Sequence, residues 1–218
     1  MIQKQILKKV LITFFIYIVF SILISYMHYE ILNLEILDKG ILLKTQKVIE
    51  NDSSLFNTNI FSLYNICIII VKELINTLLI TFVIQLGFLL LYKKEPFYLI
   101  IESVIKAKYV FLISIVFEII NLKLSKNSSE LLDINYYSPL SLINFFDYKT
   151  LEVWFVYPLQ NINVFEIIFI FLIAYFIKLK SKMSFYEILK IIISVILLWF
   201  FLYFFSYQLG KFYYHITH

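Results

Sequence analysis

The sequence predicts an all-α integral membrane protein, a five-helix bundle with additional interfacial amphipathic helices. Three observations carry that prediction. Hydrophobic residues make up 61% of the 218-residue chain and charged residues 16%, with a mean hydropathy of +0.87. A soluble globular chain sits nearer ~45–50% apolar and ~25% charged. Five apolar segments approach the ~20 residues that a helix needs to cross a hydrocarbon core of ~30 Å. Lysines are spread unevenly between the stretches that join those segments. Three Gly, three Pro and two Ala leave little room for flexible linkers or low-complexity disorder.

The first segment, Val10–Met27, is interrupted only by Thr13, Ser21 and Ser25. Lys4, Lys8 and Lys9 precede it, as in a signal peptide, but the apolar run is too long and no small-x-small cleavage site follows. It reads as an uncleaved span. The second, Leu74–Tyr92, contains Asn76, Gln85 and Gly87; the third runs over Ile105–Ile120, the fourth over Val164–Leu179 and the fifth over Ile188–Tyr207. The chain divides accordingly into an N-terminal span (1–27), an outer loop (28–73) and a four-span membrane domain (74–218) that includes an outer segment at 121–163.

Lysine placement gives an orientation. With the N-terminus inside, the inner stretches hold eleven lysines against Glu95, Glu102 and Glu187, a balance of +8. The outer stretches hold eight lysines against twelve acids, a balance of −4, and the two make up the net +4. Short loops rich in lysine stay cytoplasmic. The expected location is therefore a bacterial inner membrane, N-terminus cytoplasmic and C-terminus periplasmic. All nineteen basic residues are lysine, in keeping with AT-rich codons. Without arginine there is no guanidinium fork for phosphate, so no nucleic-acid partner is expected.

Between the spans, Ile31–Leu37 and Ile41–Leu43 mix apolar residues with interspersed charges, the pattern of a helix lying on a membrane surface. Phe61–Val71 is a further apolar stretch, with Lys72 and Glu73 at the outer interface. Pro96 opens an interfacial helix in which Glu102 and Lys106 are four residues apart. The outer segment 121–163 is rich in aromatics: Tyr136, Tyr137, Phe145, Phe146, Trp154 and Tyr157. Tyr and Trp favour the headgroup layer. These six either cover the bundle as half-buried helices or form a platform for a partner or lipid. Asn163 with Glu166, and Ser184 with Glu187, have capping-box spacing at the starts of the fourth and fifth spans.

Chemistry-bearing motifs are scarce. One cysteine, Cys67, excludes an internal disulfide, and His28, His215 and His218 form no metal-ligand pattern. No nucleophile elbow and no glycine-rich phosphate loop occurs, and no cofactor or metal is expected. Polar groups inside spans are the default candidates for function: Asn76, Gln85 and Glu118. Glu118 either snorkels, pairs with Lys72 or Lys123, or carries a proton or ion; Asn76 and Gln85 suit interhelical hydrogen bonds.

Residues 70–210 resemble the Yip-domain family of five-span membrane proteins. The resemblance rests on Lys93-Lys94-Glu95-Pro96-Phe97 after a span, on the Ser138-Pro139-Leu140-Ser141-Leu142 run followed by Phe146-Asp147, on the span with Ala174, and on the Lys178–Ser184 loop. It implies a non-enzymatic membrane protein, with a scaffold or trafficking role in the family's eukaryotic branch and no settled role in its bacterial members, and carries over no functional residues. Together these readings predict a non-catalytic accessory or scaffold subunit whose partners are membrane lipids and other membrane protein subunits. A small ion-coupled transporter using Glu118 with Asn76 and Gln85 is the alternative.

Overall fold

The computed structural model describes residues 2–38, 63–124, 140–147, 151 and 153–198. Helices joined by short turns make them up, with no strand among the described residues. In chain order the elements are α1 (Ile2–Asp38), α2 (Leu63–Leu90), α3 (Phe97–Leu124), a short 3₁₀ turn (Leu142–Phe145), α4 (Val153–Asn161), α5 (Val164–Lys178) and a last helix, α6, covering 185–198.

No Gly or Pro falls within α1, so nothing in the backbone ends it where the apolar run stops. Its 37 residues extend about 55 Å. The stretch 28–38 thus continues the first helix and is not a separate surface helix. Likewise 63–73 belongs to α2. The second turn of the reading, at 41–43, lies outside the described residues.

α2 ends in a six-residue hairpin. Lys93 N–H donates to Phe88 O at 2.9 Å and Tyr92 N–H to Leu89 O at 3.0 Å, the paired bonds of a Schellman motif. Its left-handed position holds Tyr92, at φ 54°, where glycine is the usual occupant. A Cβ there costs about 1–2 kcal/mol. Tyr92→Gly is therefore expected to stabilise the hairpin by about 1 kcal/mol, read as a raised denaturation midpoint in detergent micelles.

α3 is the central helix. Against α5 it runs antiparallel: Phe117 meets Phe165 (centroids 6.1 Å), Phe111 meets Phe169 (4.9 Å) and Lys106 sits over the Phe176 ring (5.7 Å). The two alanines of the chain, Ala107 and Ala174, fall at one level of this register, and both are fully buried. The main core joins α2, α3, α5 and α6 through Phe88, Ile100, Val104, Ile173, Ile177 and Ile188. α1 packs on the opposite side of α3 through Tyr17, Ile18 and Leu112. A separate small cluster, Ile143, Val156 and Leu159, closes the 3₁₀ turn onto α4. Backbone bonds from Leu142 N–H to Ile162 O and from Val164 N–H to Leu140 O fix that cap.

Two helical stretches, Leu7–Met27 and Ile66–Leu90, are long and apolar enough to cross a membrane. Over the most apolar 18 residues of each, only 22% and 11% are buried, so most of their apolar side chains point outward; Phe15, Leu79, Phe82 and Leu90 are all more than half exposed. Among the described residues two of the five expected spans meet these criteria; the fifth, Ile188–Tyr207, runs beyond them. α3 carries Glu102, Lys106, Lys108 and Glu118 within its length, and the 15 residues of α5 reach about 22 Å, short of a ~30 Å core.

Candidate functional site

Polar residues at four-residue spacing share one face of a helix. On α2 these are Glu73, Thr77 and Thr81, and on α1 they are Thr13, Tyr17 and Ser21. α3 brings Lys108 between the two stripes. Its ammonium, on a side chain only 3% exposed, lies 2.6 Å from Glu73 Oε2 and donates to Thr77 Oγ1 at 3.0 Å. Tyr17 Oη donates to the same Glu73 oxygen at 3.3 Å, and the Tyr17 ring centroid lies 5.4 Å from Lys108 Nζ. Thr77 Oγ1 donates to Glu73 O at 2.7 Å, which leaves its lone pairs for Lys108. Tyr109 Oη donates to Thr13 O at 3.1 Å, and its ring meets Tyr17 edge-on at 5.5 Å.

Three helices thus converge on one ion pair. Burying a lone ammonium is prohibitive. Here a carboxylate, a hydroxyl and an aromatic face replace its hydration, and each comes from a different turn or helix. Sequence reading assigns Glu73 to an outer interface and Lys108 to an inner stretch. Their contact corrects that: both sit at one level of the bundle. Without Lys108, ten lysines still face three acids in the inner stretches. The signal that marks the cluster is the i, i+4, i+8 polar stripe on α2, coupled to a lysine inside an apolar helix.

A second polar cluster holds the hairpin end. Glu102, 3% exposed, places Oε2 2.5 Å from Lys180 Nζ and Oε1 2.9 Å from Lys106 Nζ. Burial raises the Glu102 pKa, but the bonds and charges of Lys106 and Lys180 outweigh it and hold the carboxyl below its ordinary 4.5. A lowered native pKa stabilises the fold above the ordinary value, and the gain is lost as pH falls through the native value. Unfolding midpoints are therefore expected to drop on acidification below pH ~4.5, and Glu102→Gln to flatten that acid limb.

Beside it, Ser181 Oγ donates to Glu95 Oε1 at 2.5 Å, and Gln85 Nε2 donates to Glu95 O at 3.2 Å. Ser184 and Glu187 exchange bonds: Ser184 N–H to Glu187 Oε2 at 3.0 Å and Glu187 N–H to Ser184 Oγ at 3.2 Å. The backbone N–H and the hydroxyl of Ser184 hold the Glu187 carboxyl below its usual range. At α5, Asn163 Oδ1 accepts from Glu166 N–H at 2.8 Å.

The three polar candidates do not meet. Asn76 is exposed on α2, Gln85 is tied to the hairpin, and Glu118 is half-buried on α3, 21 residues beyond Phe97, about 30 Å along the helix. Of the aromatic segment, Phe145 is 82% exposed and Phe146 49%. Trp154 and Tyr157 lie on α4 with side chains outside the described set, and Tyr136 and Tyr137 are outside the described residues. Among the described residues no three His, Cys, Asp or Glu side chains converge as metal ligands. No protein-family model, curated protein or solved structure matches the chain.

Proposed function

We propose that the chain is a non-catalytic integral membrane protein, an accessory or scaffold subunit of a bacterial inner-membrane complex. The observation that carries this is how the buried charges are used. Lys108 is closed by Glu73, and Glu102 by Lys106 and Lys180, so these groups tie helices together and present no open acid or base. The outward apolar faces of α1 and α2 suit lipid or the helices of other subunits. The Yip-domain resemblance points the same way. The lysine-rich stretches favour a cytoplasmic N-terminus and a periplasmic C-terminus. Purification at native expression in mild detergent, followed by mass spectrometry and cross-linking in native membranes, tests the reading. Stoichiometric membrane-protein partners are expected; a lone monomer that cross-links to nothing overturns it.

A second reading, a small ion-coupled transporter, gains one specific support: a carboxylate–ammonium pair joining three helices, the arrangement that intramembrane ion pathways use. It would run through Glu73 and Lys108, with Glu118 further along α3. Flux in proteoliposomes that survives both Glu73→Gln and Glu118→Gln would remove it.

A further inference from the structure

Two turns far apart in sequence form one surface. The α2–α3 hairpin (91–96) and the α5–α6 turn (179–184) are fastened by Ser181 Oγ to Glu95 Oε1 at 2.5 Å and by Lys180 Nζ to Glu102 Oε2 at 2.5 Å. Lys93 is close enough to Glu187 to act on its charge. The acids of this surface have partners within it: the buried Glu102 has two lysines, Glu95 the Ser181 hydroxyl, and the exposed Glu187 the α6 cap. Lys93, Lys94, Lys178, Lys182 and Lys190 are all exposed. Around them stand apolar and aromatic side chains that do not fold inward: Tyr92 is 95% exposed, Tyr186 72%, Leu179 62% and Leu91 52%. Lysines beside exposed Tyr and Leu match the chemistry of a headgroup layer, phosphate outside and acyl chain beneath.

We propose that this joined surface binds anionic phospholipid headgroups of the adjacent leaflet, with Lys93, Lys94, Lys178 and Lys182 contacting phosphate and Tyr92 and Tyr186 seated at the interface. The proposal rests on the membrane reading above. Clustered lysines next to a bilayer attract anionic lipid additively. The fold supplies what the sequence alone does not, by bringing two separate basic turns onto one side of the bundle and pairing the buried Glu102 with Lys106 and Lys180. Internal pairing also fixes the two turns relative to one another, so the lysines keep their spacing when lipid exchanges.

The test uses the full chain in nanodiscs of phosphatidylcholine with or without phosphatidylglycerol, reading retained lipid by native mass spectrometry and thermal stability. The wild type is expected to enrich phosphatidylglycerol and gain stability from it. The quadruple variant Lys93→Gln, Lys94→Gln, Lys178→Gln, Lys182→Gln is expected to lose that preference by about tenfold or more. Its stability in pure phosphatidylcholine discs should match wild type, because the four side chains are exposed. Lys72→Gln, 18 residues before Leu90 on α2, is expected to keep the preference. An unchanged preference in the quadruple variant overturns the proposal, as does equal loss in Lys72→Gln. So does equal stabilisation by inorganic phosphate at matched ionic strength, which would assign the surface to a soluble anion. Recovery of the chain in the soluble fraction after cell breakage would instead overturn the membrane reading, which separates the two failures.

Discussion

Glu73→Gln is expected to lower the unfolding free energy by about 3–5 kcal/mol, the usual loss when one member of a buried ion pair is removed. The substitution keeps size and shape but removes the counter-charge, and leaves the Lys108 ammonium, on a side chain 3% exposed, facing only neutral groups: an amide, the Thr77 hydroxyl and the Tyr17 ring. Lys108→Met should be milder. The stranded Glu73 side chain is 19% exposed and keeps the Tyr17 hydroxyl. The double variant Glu73→Leu, Lys108→Met is expected to recover most of the loss, because an apolar contact of similar volume replaces a pair whose attraction only offsets its desolvation. Denaturant titration in mixed micelles, followed by far-UV circular dichroism, gives all three values. Additive losses in the double variant would mean that the two residues do not act as a pair. The same variant bears on function: a folded protein that keeps its partner subunits fits a scaffold, and a folded protein that has lost flux fits a transporter.

Gly87→Ala is expected to cost about 1–3 kcal/mol, through overpacking. A Cβ built at Gly87 would lie 2.3 Å from Val195 Cγ2 and 3.2 Å from Ile191 Cγ2. Valine in a helix has one strongly preferred rotamer, so the methyl cannot swing aside, and α2 and α6 must separate instead. The double variant Gly87→Ala, Val195→Ala should restore close packing. A cysteine pair placed across the α2–α6 contact provides a second readout: its cross-linking should fall in Gly87→Ala and return in the double variant. If the single variant is as stable as wild type, the close approach of these helices is not a feature of the folded protein.

The helical class of the chain was legible because apolar content and long unbroken runs leave few other solutions. Asn163 and Ser184 were legible as helix starts because capping depends on residues only three apart. The lengths of α1 and α2 were not. Charges at Lys72 and Glu73 look like an interface when read along the chain, and only the packing of α3 shows that Glu73 has a lysine to face. Small residues that let helices approach closely are scarce. Gly87, Ala107 and Ala174 are few, but each sits where two helices meet, so position matters more than number.

By itself the sequence determined the class of fold, the outward-facing apolar surfaces and the local caps, all of which follow from composition and from spacings within a few residues. The tertiary structure decided which polar groups meet. Glu73 finds Lys108 35 residues later, Glu102 finds Lys180 78 residues later, and Glu95 finds Ser181 86 residues later. Such pairings depend on the antiparallel register of α2, α3 and α5. That register is set by side-chain packing over the whole length of the helices, which no local stretch of sequence encodes.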